Sequence, residues 1–256
     1  MNKPVEDIST EWAELKIVVV VPTYNNERTL AAVLDSLLEY ASDIIVVNDG
    51  STDDTGSILE NYAEKLQVIS YFPNRGKGYA IRRGFETAVK RGFRYAVTID
   101  SDGQHFASDL PVFVRAIEQH PGSLLVGDRG MTHENKPGGS TFANRFSNFW
   151  FTVQTGIRLP DTQSGYRLYP LEKMGKMKLF TRRYEAELEL LVFSAWRNIP
   201  VLPVPIKVYY APKEEKVSHF RPFQDFFRIS VLNTVMVFLA VLYGYPSVFI
   251  RRWLKK

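Results

Sequence analysis

Lys16-Ile17-Val18-Val19-Val20-Val21-Pro22-Thr23-Tyr24-Asn25 decides the fold. A run of β-branched residues is stiff and extended, and apolar side chains at every position mean a strand covered on both faces. The run ends in Pro22, and polar residues follow at once. The same figure recurs along the chain. Ile44 to Val47 runs into Asn48-Asp49-Gly50, Val68 to Phe72 into Pro73-Asn74, Tyr95 to Ile99 into Asp100, and Leu124 to Val126 into Gly127-Asp128. Between these lie stretches with helical apolar spacing: Thr29 to Glu39, Asp53 to Lys65, Tyr79 to Arg91 and Asp109 to Gln119. Short apolar strands alternating with amphipathic helices predict an α/β fold with a mostly parallel, doubly wound sheet. Ligands of such sheets gather beyond the carboxyl ends of the strands. Thr23-Tyr24-Asn25, Asn48-Asp49, Asp100-Ser101-Asp102 and Asp128-Arg129 all stand there.

The second half is less regular. Asn144 to Thr155 reads as an aromatic-rich helix, and Asp161 to Arg167 as a polar turn before another helix. Tyr184 to Arg197 reads as an amphipathic helix, Val201 to Tyr210 as a Pro-interrupted edge strand, and Ala211 to Ser218 as a charged loop. Phe226 to Ile250 is the most apolar stretch, broken by Arg228, Asn233, Gly244 and Pro246. A membrane-spanning helix needs about 20 predominantly apolar residues, so this tail sits at the border. Arg251, Arg252, Lys255 and Lys256 follow it, and such basic residues beside an apolar segment suit an anionic membrane surface. The alternative is a helix packed on the domain or on a second subunit of a homo-oligomer.

Composition narrows the function classes. The chain has 256 residues, 45% of them hydrophobic, enough for one large α/β domain or two small ones. A net charge of +4 with dispersed basic residues gives no nucleic-acid footprint. The absence of cysteine excludes disulfides, thiolate metal sites and Cys nucleophiles. Residues 1–16 carry Glu6, Asp7, Glu11 and Glu14 and no apolar stretch of the secretory kind. The expected location is therefore the cytoplasm or the cytoplasmic face of a membrane, with peripheral or monotopic attachment.

Asp100-Ser101-Asp102-Gly103-Gln104-His105 is the sharpest chemical signal. Two carboxylates and an amide oxygen at alternate positions can converge on one hard cation. Mg2+ and Mn2+ take oxygen ligands and are often shared with substrate phosphates. Asp49 could accept hydrogen bonds from a base or ribose, while Ser51, Thr52 or Asp53 caps the next helix. Asn74-Arg75-Gly76-Lys77-Gly78 precedes a helix, where glycines allow close backbone approach and the helix N-terminus favours an anion. Gly78 follows Lys77 where a Walker loop has Ser or Thr, and Ile81 replaces the third glycine of a dinucleotide fingerprint. Arg129, Arg145 and Arg167 offer guanidinium forks of the kind that hold phosphate. Asp161 is open to three roles: structural, salt-bridged to an arginine, or a general base. His105, His133 and His219 show no zinc spacing, and Ser164 lacks the context of a hydrolase nucleophile.

Taken together, Val-Val-Pro-Thr-Tyr-Asn-Asn-Glu (20–27), Val-Asn-Asp-Gly-Ser (47–51), Asn-Arg-Gly-Lys-Gly (74–78), Asp-Ser-Asp-Gly-Gln-His (100–105) and Asp-Thr-Gln-Ser-Gly-Tyr-Arg-Leu (161–168) resemble the family 2 glycosyltransferases, in order and in spacing. The branch they most resemble is the dolichol-phosphate mannosyltransferase-like, or polyprenyl-phosphate glycosyltransferase, group. The resemblance implies a GT-A fold, an inverting mechanism and a nucleotide-diphosphate sugar donor, GDP- or UDP-linked. It implies that Pro22, Tyr24, Glu27 and Asp49 surround the nucleoside, and that Lys77, Asp100 and Ser101 belong to the donor site. It implies that Asp100, Asp102 and Gln104 hold Mg2+ or Mn2+, and that Arg129 and Arg145 handle an acceptor phosphate. Asn26 is extra relative to the usual Pro-x-Tyr-Asn-Glu, so Asn26 and Glu27 compete for the glutamate's place. Lys216-Val217-Ser218-His219-Phe220-Arg221 stands where the group carries a basic Gly-x-Ser-Lys loop.

The expected layout is an N-terminal extension (1–15), a GT-A domain (16–212), a flexible loop (213–225) and a membrane-associating C-terminal segment (226–256). The expected reaction moves a hexose to a membrane polyprenyl (dolichyl or undecaprenyl) phosphate. Its acceptor oxygen is already anionic near neutral pH, since a phosphate monoester's second pKa is about 6. Asp102, Arg129 and Asp161 are the residues expected to serve catalysis. A hydroxyl acceptor on a glycolipid or glycan is the alternative. It would need a base, with Asp161 the first candidate and Glu187 the second. A nucleotide-binding protein without turnover is the remaining class.

Overall fold

The computed structural model describes residues 11–130, 138–175, 179–210 and 222–253. Its centre is a seven-stranded sheet in the order β3-β2-β1-β4-β6-β5-β7. The strands are β1 (Ile17–Thr23), β2 (Ile44–Asp49), β3 (Gln67–Tyr71), β4 (Tyr95–Thr98), β5 (Leu124–Asp128), β6 (Arg167–Pro170) and β7 (Val201–Pro205). All pairings are parallel except those of β6, which runs antiparallel to both β4 and β5.

β1 lies near the middle of the sheet, and every one of its residues is buried. Its alternation divides the core. Ile17, Val19 and Val21 join Leu30, Leu34 and Leu37 of α1 (Leu30–Leu38) and Phe113 and Val114 of α4 (Leu110–Gln119). Val18 and Val20 face the other way, onto Ala80 and Ala88 of α3 (Lys77–Lys90). At about 1.5–3 kcal/mol for each fully buried aliphatic side chain, β1 anchors both layers. A short helix α2 (Thr55–Glu60) follows β2.

A third cluster fills the far half. Phe151 of α5 (Gly138–Thr155) meets Leu188, Leu191 and Val192 of α7 (Glu185–Trp196) and Leu232 and Met236 of α8 (Pro222–Leu239). A π-helical turn, Ala240–Gly244, joins α8 to α9 (Tyr245–Trp253).

Two local expectations are corrected. The turn 161–167 leads into a strand, β6, and then into the single helical turn α6 (Leu171–Met174). Four residues carry no periodicity to read, and the arginine at the strand's head masks its burial. Arg167 is only 1% exposed, because its guanidinium donates to the carbonyls of Ser164, Thr162 and Glu187 at 2.6, 2.9 and 2.6 Å. α7 is not amphipathic: every residue except Phe193 is buried, including Glu185, Glu187 and Glu189. Glu189 is satisfied by the N–H groups of Phe180 and Thr181 and by the Thr181 hydroxyl, at 2.6, 3.0 and 2.5 Å. β7 is an edge strand as expected, with Pro203 and Pro205 on it, but it ends at Pro205 and not at Tyr210. The segment Lys216 to Arg221 lies outside the described residues.

Candidate active site

The order β3-β2-β1-β4 sets the carboxyl ends of β1, β2 and β4 side by side. A cleft of about 780 Å³ opens over them. Its wall includes Pro22, Tyr24, Asn26, Asp49, Lys77, Asp100, Ser101 and Asp102, so most of the residues read as donor-binding do converge. Phe72, Arg183 and Tyr184 line it too, and sequence reasoning missed them.

Each loop is fixed by short polar links. The Ser101 hydroxyl receives a 2.7 Å bond from Asn26 Nδ2 and reaches Thr23 Oγ1 at 3.1 Å, clamping the loop after β1 to the loop after β4. Asn26 is buried, and its side-chain carbonyl accepts from the Thr29 hydroxyl at 3.0 Å. Glu27 is exposed, and its carboxylate accepts the Asp54 N–H at 3.1 Å. Of the two competitors, Asn26 is the one at the cleft. The N-cap of the next helix is Asp54, without a side-chain cap bond, and Asp53 just before it accepts the Thr55 N–H at 3.1 Å.

Asp49 does more than face a ligand. Its carboxylate accepts the backbone N–H groups of Arg75 and Gly76, both at 2.7 Å, and Asn74 Nδ2 at 2.9 Å. Burial pushes its pKa up, against these donors that favour the ionised form. Asp49 therefore shapes the glycine-rich loop. The glycines of that loop serve packing as well: a Cβ on Gly78 would lie 2.2 Å from Ala186 Cβ, and Gly76, at φ +97°, would meet the Arg182 carbonyl at 2.6 Å.

The loop ends in Lys77, the first residue of α3. Its ammonium lies 2.7 Å from Asp100 Oδ1 and 2.8 Å from Glu187 Oε2. Burial would drive the lysine pKa down, but the two carboxylates outweigh it and keep the group protonated. Asp100 is raised by burial and lowered further by Lys77, and it stays ionised. Asp102 Oδ1 accepts the Gln104 N–H at 3.0 Å, and the Gln104 carbonyl accepts the Tyr209 N–H at 2.8 Å. Among the described residues, no group of three His, Cys, Asp or Glu side chains forms a metal-binding cluster.

Arg129 and Asp161 form a second charged pair, outside the cleft lining. Nε donates to Oδ2 at 2.6 Å and an Nη donates to Oδ1 at 3.0 Å. Burial pushes Asp161 up, but the Arg129 bonds and charge hold it below the ordinary carboxylate range. His105 feels the charges of Asp100, Arg129, Lys77 and Asp161, which places it between the two clusters. Burial drives its pKa down to about 4, and its Nδ1 has no hydrogen-bond partner. Arg145 is exposed on α5. Its neighbour Asn144 donates to the Pro160 carbonyl at 3.3 Å and Asn148 donates to the same oxygen at 2.7 Å, tying α5 to the turn that carries Asp161.

A three-layer α/β domain with a polar cleft beyond β1, β2 and β4 is a GT-A fold, the fold of nucleotide-diphospho-sugar transferases. Residues 18–173 match the profile described as Glycosyl transferase family 2, and the chain belongs to that family. It is 30% identical to an uncharacterized protein of Methanocaldococcus jannaschii, over 82% of this chain and 86% of that one. It is 29% identical to the UDP-N-acetylglucosamine–dolichyl-phosphate N-acetylglucosaminyltransferase of Methanococcus voltae, over 77% of this chain and 87% of that one. Among solved structures it is similar to the glucosyl-3-phosphoglycerate synthase of Mycobacterium tuberculosis in complex with Mn2+, UDP-glucose and phosphoglyceric acid. The TM-score there is 0.67 at 22% identity, covering 94% of this chain and 84% of that one.

Proposed function

We propose that this protein transfers a hexose, with inversion, from a nucleotide-diphosphate sugar to a polyprenyl phosphate at a membrane surface. The observation that carries the proposal is one cleft that combines the Asp100–Asp102 loop with Lys77 at a helix N-terminus, in a family 2 chain. Relatives named for dolichyl-phosphate acceptors support it: the Methanococcus voltae enzyme and the human dolichyl-phosphate beta-glucosyltransferase, 28% identical over 75% of this chain.

In this proposal Pro22, Tyr24, Asn26 and Asp49 surround the nucleoside. Asp100, Asp102 and Gln104 supply hard oxygen donors, a set that fits Mg2+ or Mn2+, and the Mycobacterium tuberculosis structure similar in fold contains Mn2+. A bound divalent ion would offset charge on the leaving nucleotide diphosphate. Lys77 and the α3 N-terminus place fixed positive charge beside that leaving group. Asp161 fixes the plane of the Arg129 fork, and Arg129 with Arg145 orients the acceptor phosphate.

A phosphate acceptor also suits the state of the acids. A general base works best with a pKa near the operating pH. Asp161 is held low by Arg129, and Glu187 is paired with Lys77. Asp161 is thereby poorly suited to take a hydroxyl proton, whereas an anionic phosphate oxygen needs no base.

The C-terminal helices are proposed to lie in the membrane surface rather than span it. Residues 227–251 are apolar enough to cross a bilayer, but one side of them is tied to the domain. Gln154 Nε2 bonds Asn233 Oδ1 at 2.9 Å, and a Cβ on Gly244 would lie 2.5 Å from the Trp196 ring. The other side turns Phe227, Phe238, Leu242 and Phe249 outward.

The test incubates purified protein and Mn2+ with labelled UDP- and GDP-sugars, with and without polyprenyl phosphate, and counts label entering the organic phase. Lipid-linked label from one donor, lost in Asp102→Asn, is the expected result. Donor binding with no lipid labelling would redirect the acceptor to a glycolipid or glycan hydroxyl.

A further inference from the structure

Lys77 does something that the transfer reaction alone does not require: it already occupies a carboxylate assigned to the metal. Its ammonium sits between Asp100 and Glu187 at 2.7 and 2.8 Å, with the three side chains only 17, 26 and 10% exposed. The recess is cut to the pair. Gly165 backs it, and a Cβ there would lie 2.5 Å from Asp100 Oδ2 and 3.0 Å from Lys77 Nζ. Lys77 also begins the 14-residue helix α3, at the edge of the cleft where a diphosphate would be drawn by the helix N-terminus.

From this geometry we propose that Lys77 is a stand-in cation, which holds Asp100 against free divalent metal until the donor's diphosphate offers the ammonium another partner. A doubly charged ion arriving alone would have to share Asp100 with a half-buried ammonium 2.7 Å from it, and like charges that close repel. A nucleotide-sugar brings its own phosphate oxygens for both the metal and Lys77. Metal and donor are then taken up together, and the protein does not strip metal from its surroundings when no donor is present. Lys77 acts here through Asp100, as a positioning residue. The inference rests on the proposal that Asp100 and Asp102 hold the metal.

The measurement is Mn2+ binding to the full chain without nucleotide, read from the free-ion electron paramagnetic resonance signal. Wild type is expected to bind weakly, and Lys77→Met to bind about tenfold more tightly or better, a gain of about 1.4 kcal/mol. Lys77→Arg keeps a cation in place and is expected to stay weak. Arg183→Met removes a cation lining the same cleft that has no ion pair with Asp100 among those of the described residues, and is expected to leave binding close to wild type. Asp102→Asn should abolish the tight binding of the Lys77→Met protein. Lys77→Met binding no more tightly than wild type, or no more than Arg183→Met, overturns the inference while leaving the metal proposal standing. Absence of saturable Mn2+ binding in every variant, with UDP or GDP present as well, overturns both. A measurement free of variants is crystallographic. Wild type soaked in Mn2+ alone should keep Lys77 on Asp100, and with Mn2+ plus nucleotide diphosphate it should not. Mn2+ bound to Asp100 in the first soak also overturns the inference.

Discussion

Arg129 and Asp161 meet fork to fork, with N–O distances of 2.6 and 3.0 Å, and the Asp161 side chain is entirely buried. They stand 32 residues apart in sequence, one just after β5 and the other in the turn before β6. Because β5 and β6 are neighbours in the sheet, the segment after β5 and the turn before β6 meet, and the pair links them. Breaking a buried pair from one side leaves an uncompensated charge, at about 3–5 kcal/mol. Asp161→Asn is therefore expected to lower the urea midpoint sharply. Arg129→Met combined with Asp161→Leu should cost less than the sum of the two single changes. Equal additivity in a double-mutant cycle would mean the two do not act as a unit.

The same pair sets a pH dependence. Asp161 has its folded pKa depressed, so its contribution to stability is complete above the unfolded value of about 3.9 and is lost as pH falls through the folded value. The stability gap between wild type and Asp161→Asn should hold steady between about pH 5 and 8 and narrow only in stronger acid. Denaturant melts across that range check it. A gap that narrows near neutral pH would mean that Asp161 titrates there and remains eligible as a base.

Asn26 and Glu27 separate the two candidates for one role. Asn26 is buried and bonded to Ser101 at 2.7 Å, whereas Glu27 is exposed. Removing a buried hydrogen-bonding group costs about 1–3 kcal/mol, and here the loss would unclamp two cleft loops. Asn26→Ala is expected to weaken nucleotide binding and lower Tm, and Glu27→Ala to leave both nearly unchanged. Calorimetric titration with UDP and GDP would show the difference. The reverse order would restore Glu27 to the cleft.

Much of this architecture was legible because it is periodic or punctuated. β1 announced itself by unbroken β-branching, and the parallel order placed Asp49 and Asp100 together without any alignment. What could not be read is what depends on contacts from far along the chain. β6 is four residues headed by an arginine, and Arg167 is a core residue only because the Ser164, Thr162 and Glu187 carbonyls surround it. The glycines at 76 and 78 look like ligand contacts in sequence, yet their close neighbours are Arg182, Arg183 and Ala186. The same fact hides Arg183 and Tyr184, which reach the cleft only because α7 packs on the glycine-rich loop. Lys77 reads as part of the donor site, but its two carboxylate partners come from β4's loop and from α7.

The C-terminal helices give the last prediction, because their two sides make opposite demands. Leu232 and Met236 are buried against the domain, while Phe238 and Leu242 are 66 and 77% exposed. An exposed apolar strip of this size needs a partner, and the sequence ends it with Arg251, Arg252, Lys255 and Lys256. If the partner is an anionic bilayer, Phe238→Asp with Leu242→Asp should abolish flotation with phosphatidylglycerol vesicles while leaving Tm unchanged. Met236→Asp should instead unfold the third core cluster. A second copy of the chain covering the strip would give a different result: the double variant would turn a dimer into a monomer on sizing columns, and wild type would not float. A spanning helix would resist extraction by alkaline carbonate, which an in-plane helix should not. The hydrogen bond from Gln154 to Asn233 argues for the in-plane arrangement, since pulling the helix into the bilayer would strip that bond and bury the amide unpaired.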